Sequence, residues 1–322
     1  MDMTDTIAMR QLKGRTALVT GGTDGIGQEI ARGLAQRGAR LVIVGRDADK
    51  GARAEQYVRT SSNNSEVEFV QADLSLMREA VRLADVVSTR WPGLNYLVHS
   101  AGIVRGRRVP TSEGIESNFA TNYLSRFAST TRLLPTLNAA GSAGKAARIL
   151  LVSHPGFAGT IHYDDVNLTK NFSTIRAFRQ FHFANDLFAV ELDRRLTRLN
   201  EAAKVTISCL HPGPTKNTGI VGEMPFWMKL MLRSIVIPLA AHTPDVPAAA
   251  ALRLILDDEY EGEAASFFSL VGTFKRVSKS PEVLSHEAGK RLWDLSEERL
   301  QRALATEAAV FPALDRARTA AE

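Results

Sequence analysis

The run TGGTDGIG (20–27) closes one kind of segment and opens another. Before it stands the β-branched stretch TALVTGG (16–22). After it DGIGQEIARGLAQRG (24–38) places Ile26, Ile30 and Leu34 at helical spacing and stops at Gly38. A strand that passes through glycines directly into a helix is a strong constraint. Glycines permit the tight turn and the close backbone approach that a pyrophosphate needs, and the helix N-terminus meets its charge. The turn residues Gly21, Thr23, Asp24, Gly25, Ile26 and Gly27 are therefore candidate cofactor contacts, with Asp24 either touching the ligand or capping the helix.

The rest of the chain repeats the alternation. Strand-like apolar runs stand at 39–46, 67–74, 94–102, 147–154 and 204–213, with helical patterns at 48–60, 75–90, 113–137 and 176–199. Continuous apolar strands alternating with helices predict an α/β doubly wound parallel sheet of the Rossmann type, covered on both faces, in a single domain. No repeat, long linker or composition shift marks a second domain. We place the core at about 12–275, and 276–322 reads as C-terminal helices. At 322 residues and 44% hydrophobic, the chain can bury such a core.

Charge excludes some partners. The net charge of +5 is spread along the chain, with no basic block of the kind that binds nucleic acid. The lone Cys209 fits a reducing compartment, and MDMTDTIAMRQLKGR lacks the apolar core of a signal peptide, so the expected location is cytoplasmic. PFWMKLMLRSIVIPLAA (225–241) is apolar but interrupted by Lys229 and Arg233 and short for a bilayer span. It reads either as a buried or half-buried helix, or as a greasy lid over a hydrophobic substrate with peripheral membrane contact.

The second strand ends in GRD, which puts Arg46 where an adenosine ribose would lie. An acidic residue there suits a 2′-hydroxyl; an arginine pairs with a 2′-phosphate, so NADP(H) is expected over NAD(H). Asp73, with Leu74 in ADL, either accepts from an adenine amino group or caps the next helix.

Several motifs in this order resemble the short-chain dehydrogenase/reductase family: TGGTDGIG, ADL (72–74), SAG (100–102), Asn122 in FATNYLSRF, RILLVS (148–153) and HPG (211–213). TSEGIESNFATNYLSRFASTTRLLPTL, GTIHYDDVNL and RLWDLSEERL are similar to its retinol-dehydrogenase and WW-domain-oxidoreductase branch. The resemblance implies a sheet of about seven parallel strands and hydride transfer between a nicotinamide and a carbonyl or alcohol. It implies cofactor contacts from Ser100, Ala101, Gly102, Pro212 and Gly213, and a homodimer in many relatives.

Carried over position by position, the resemblance also exposes a departure. Asn122 matches the family asparagine. The family serine falls on His154, with Ser153 one place earlier and expected on the opposite face of its strand. The family tyrosine falls on Phe178 and the lysine on His182. Phenylalanine has no proton to give, and general acid–base help is worth roughly 10²–10⁴ in rate. His154 and His182 are the substitutes to weigh, since an imidazole of pKa about 6.5 is roughly a quarter protonated at pH 7. His182 is also placed to hydrogen-bond the ribose. Tyr163 is expected to pack, and His99 to stabilise the end of the fourth strand. No cluster has metal-ligand spacing. Three readings follow: an NADP-linked oxidoreductase of a bulky apolar substrate with a histidine proton carrier, a non-redox cyclase, isomerase or dehydratase of secondary metabolism, or a silent cofactor-binding protein.

Overall fold

The computed structural model describes residues 11–142, 144–199, 204–216 and 242–304. The segment 225–241 lies outside them. Eight strands form one sheet in the order β3-β2-β1-β4-β5-β6-β7-β8. They are β1 (Thr16–Thr20), β2 (Arg40–Gly45), β3 (Val67–Gln71), β4 (Tyr96–His99), β5 (Ala147–Val152), β6 (Val205–His211), β7 (Ser266–Ser269) and β8 (Lys275–Arg276). The first seven run parallel. The two-residue β8 pairs antiparallel with β7, an edge addition to the expected parallel sheet.

Neighbouring side chains along each strand serve two separate cores. Leu18, Val42 and Val44 face one side, against α3 (Met77–Arg90), α5 (Ser125–Ala140), α6 (Thr174–Arg198) and α9 (His286–Leu304). Val19, Leu41 and Ile43 face the other, against α1 (Gly25–Gln36), α2 (Ala48–Ser62) and α7 (Asp245–Leu256). Both faces are apolar, which is why the strands read as unbroken hydrophobic runs. Among the described residues, no helix is long and apolar enough to cross a membrane.

The sequence runs overshoot the strands at their C-terminal ends. The run 94–102 yields a strand only over Tyr96–His99, and 204–213 only over Val205–His211. The extra residues form the loops above the sheet. The helix expected from 113 starts later: α4 (Ser117–Phe119) begins after Glu116, whose carboxylate accepts from the Asn118 and Phe119 amides. A π-helical segment, Ala120–Leu124, then joins α4 to α5. α6 starts earlier than expected because Ser173 caps it, accepting from the Arg176 amide. The small strands β7 and β8 and the helix α7 have no counterpart in the periodicity reading. The tail is helical where described, in α8 (Pro281–Leu284) and α9.

Candidate functional site

Strand order reverses between β1 and β4, whose ends align with Thr20 beside His99. In an open α/β sheet, the crevice beyond the strand ends at this reversal is where ligands bind. A cavity of about 1220 Å³ opens there. It runs from the glycine turn and Arg46 to His154, Phe178 and His182.

The turn is built for close approach. Gly21 has φ +69°, and a Cβ on it would lie 2.7 Å from the Ala101 nitrogen. A Cβ on Gly27 would lie 2.3 Å from the Gly21 carbonyl oxygen, so the loop cannot close with any other residue there. Thr23, Asp24, Gly25 and Ile26 complete the cavity edge. The first intrahelical bond of α1 comes from the Gln28 amide to the Asp24 carbonyl, so the preceding amides face the cavity mouth. Asp24 occupies the cap position but makes no capping bond; its carboxylate pairs with Lys50 Nζ at 2.5 Å. Lys50 also lines the cavity beside Arg46 and was not singled out by any motif. Asp73 lines the same end with Leu74; its Oδ1 accepts from the Ser75 amide at 2.9 Å in the turn before α3, whose cap position is Leu76 with no side-chain capping bond, so Asp73 does not cap that helix.

Ser100, Ala101 and Gly102 cross the middle of the cavity. Asn122 pins this loop: its Oδ1 accepts from the Ile103 amide at 2.9 Å, and its Nδ2 donates to the Ile103 and Asn118 carbonyls at 2.8 Å each. Both of its side-chain N–H donors are thereby used, and its backbone carbonyl accepts from Asn185 Nδ2 at 3.0 Å.

At the far end lies an aromatic cluster. Phe178 meets His182 at 4.3 Å and His154 at 5.9 Å between ring centres, with Phe157 and Phe181 each 5.5 Å away. Among the described residues, no tyrosine lines the cavity, and Lys50 is the lysine that does. Pro212 and Gly213 border this end, and His211, on the last position of β6, stacks face to face on His154 at 3.6 Å. Sequence reasoning placed His211 in the turn and missed this contact.

Ser153 requires a correction. Ile149 and Leu151 face the layer of α5 and α6, and Ser153 continues that face. It is not turned away from the site: its Oγ lies 3.0 Å from His182 Nδ1. His154 reaches the cleft from beyond the strand end, where two-residue parity no longer governs direction. Both positions thus belong to the cavity. Among the described residues, His182 Nε2 has no protein partner and is not sealed from the cavity.

The protonation expected for these imidazoles also changes. Burial pushes His154 below the ordinary imidazole value. Burial pushes His182 well below it, helped by His154, Arg126 and His211. His211 falls to about 3, again chiefly through burial. All three are neutral at neutral pH, because desolvation disfavours the charged form. His99, the last residue of β4, is buried with its Nε2 2.9 Å from Thr130 Oγ1. Tyr163 packs under the Arg291 guanidinium and bonds toward Ala288, outside the cavity. His162 is held by Arg176 and is likewise outside it.

Comparison with known proteins agrees with this geometry. A family model described as short chain dehydrogenase matches residues 15–164. Human polyprenol dehydrogenase is 31% identical over 77% of this chain and 74% of its own length. Human retinol dehydrogenase 13 is 29% identical over 88% of this chain and 83% of its own. Among solved structures, an uncharacterised protein from Mycobacterium paratuberculosis superposes with a TM-score of 0.71 at 28% identity, covering 91% of this chain and 96% of that one. The Pseudomonas aeruginosa RhlG/NADP complex superposes with a TM-score of 0.62 at 27% identity, covering 81% and 96%.

Proposed function

The chain belongs to the short-chain dehydrogenase family, in its retinol-dehydrogenase-like branch, and from that premise we propose that it is an NADP(H)-linked oxidoreductase of a bulky, apolar alcohol or carbonyl. The observation that carries this is the single cavity that joins a pyrophosphate cradle to an imidazole-lined apolar end. The cradle fits a dinucleotide: the glycine contacts leave room for backbone approach, the α1 N-terminus faces it, and Arg46 and Lys50 bring positive charge to the adenosine side. When bound, the nicotinamide supplies the hydride chemistry that no side chain here has.

The chain's own residues do the rest. With Nδ1–H donated to Ser153 Oγ, the Nε2 lone pair of His182 accepts the proton of a substrate hydroxyl. A neutral imidazole has the free lone pair that this oxidative direction needs, while the burial that lowers its pKa makes it a weaker base than an exposed histidine. The His154 ring, held against His211, orients the substrate oxygen at the position the family gives to serine. Phe157, Phe178 and Phe181 form a wall that suits apolar substrate and excludes water. The relatives named for polyprenol and retinol fit the same substrate class. Assays with NADP⁺ and long-chain or ring alcohols, following NADPH formation, test this. His182→Ala should lower kcat by roughly 10²–10⁴ while NADP⁺ still binds, and His154→Ala should raise KM. Unchanged turnover in both variants would overturn these roles.

The lack of a phenol among the cavity's described residues favours a second reading, a non-redox isomerase, cyclase or dehydratase on the same fold. Product mass separates the two. Isomerisation leaves it unaltered and dehydration removes one water, whereas oxidation removes two hydrogens.

A further inference from the structure

Arg126 belongs to no motif. It lies four residues after Asn122, just past the π-helical segment Ala120–Leu124, a kind of helix widening found at functional sites. Its side chain is 95% buried (5% exposed) and lines the same cavity as His182 and Asn122. Nη2 donates to the Ala101 carbonyl at 3.0 Å, and Nη1 to Asn185 Oδ1 at 3.4 Å. Nε has no partner. Thr121 Oγ1, on the same cavity wall, is also buried without a partner.

No carboxylate lies within ion-pair distance of this guanidinium among the described residues. Burying a cation without a counter-charge is costly, so its retention calls for a compensating use. Its two contacts are to groups that shape the site. Ala101 belongs to the loop that Asn122 pins, and Asn185 sits on α6 next to His182 and bonds the Asn122 carbonyl.

We propose that Arg126 is a positioning residue that supplies the buried positive charge at the nicotinamide end of the cleft, the charge lost when histidine stands at 182. The proposal rests on the reading of the cleft as a dinucleotide site. Its field acts on His182, together with that of His154 and His211, and also on His99. The same field is felt at the buried Cys209. Asp186, whose Oδ2 accepts from the Gly156 amide at 2.7 Å, is pushed up to about 8 by burial. One guanidinium thereby adds to the burial that holds the His182 imidazole neutral, ties Ala101 to Asn185 on α6, and attracts an anionic dinucleotide.

The test compares the apo wild type with Arg126→Met and Arg126→Lys. The His182 ring proton is titrated by NMR, and NADP⁺ affinity is measured by calorimetry. In wild type, His182 should stay neutral well below the ordinary imidazole midpoint. In Arg126→Met its midpoint should rise and NADP⁺ affinity should fall at least tenfold, and Arg126→Lys should recover both. An unmoved midpoint, or unaltered affinity, in folded Arg126→Met overturns the proposal. Should that variant not fold, a wild-type His182 that titrates in the ordinary range, or a folded Arg126→Lys that fails to match wild type, does so instead. A wild type that binds no NADP⁺ refutes the cofactor reading separately, while the titration still judges Arg126.

Discussion

An imidazole that is neutral and partly sealed has a different repertoire from a phenol beside an ammonium. It offers one lone pair and one N–H, and a hydrogen-bonded hydroxyl, which can donate or accept, serves either tautomer. The Ser153–His182 pair has that form, with the second nitrogen on the cavity side. The proposed choice of NADP(H) rests on a single residue. Arg46 stands where a 2′-phosphate would be read, and a charge-assisted hydrogen bond contributes about 1.5–3 kcal/mol. Arg46→Ala should therefore weaken NADP⁺ binding about 10- to 100-fold and leave NAD⁺ binding nearly unchanged. Competition calorimetry with both nucleotides checks this; equal losses for the two would show that Arg46 does not read the phosphate. Much at this scale was legible in the sequence. Turn chemistry pointed to Gly27, charge to Arg46 and position in the chain to Phe178 and His182, and all four line the cavity. Protonation states were not legible, because desolvation depends on which rings from β5, α6 and β6 converge. Neither was Arg126, which follows a π-helical segment that leaves no periodic signal.

The elements position these residues through their ends. β5 delivers Ser153 toward α6, β6 delivers His211 under His154, and α6 carries Phe178 and His182 on adjacent turns. Periodicity found the interiors of these elements well, because apolar side chains on both sheet faces force unbroken hydrophobic runs. It overran their ends, because Ser100, Ala101, Pro212 and their neighbours continue the apolar pattern into loops that line the cavity. The parity argument for Ser153 failed for a related reason. The face opposite His154 is the one α6 covers, so being on it places Ser153 beside His182. The β1–α1 junction is the stiffest of these ends. Gly27→Ala would drive a methyl into the Gly21 carbonyl, and such overpacking typically costs about 1–3 kcal/mol. Thermal unfolding should show that loss, together with NADP⁺ binding weakened beyond detection; a variant with wild-type affinity would contradict the tight-turn account.

At the scale of the whole molecule, the order of strands places the reversal between β1 and β4 and so fixes where one large cavity can form. Folding also commits imidazoles to a desolvated cleft, and stability must reflect it. A histidine whose folded pKa lies below its unfolded value of about 6.5 binds its proton only on unfolding. Its contribution is complete above about pH 6.5 and declines as pH falls toward the folded value. Asp186, raised to about 8, works in the opposite sense: its contribution is present at low pH and declines as pH rises from about 4 to 8. Comparing wild type with His182→Gln isolates the imidazole. The wild type's advantage should shrink by up to about 1.4 kcal/mol per pH unit below pH 6.5, read from urea unfolding at pH 7, 6 and 5. Parallel curves would show that His182 is not held neutral by the fold. The central claim, that a dinucleotide docks with its reactive ring among imidazoles, is tested most directly by titrating NADP⁺ into the wild type while following its seven histidine ring signals by NMR. The account predicts saturable shifts at His154, His182 and His211, with His162 unmoved. Saturable binding that leaves those three signals in place, or no binding at all, would contradict it.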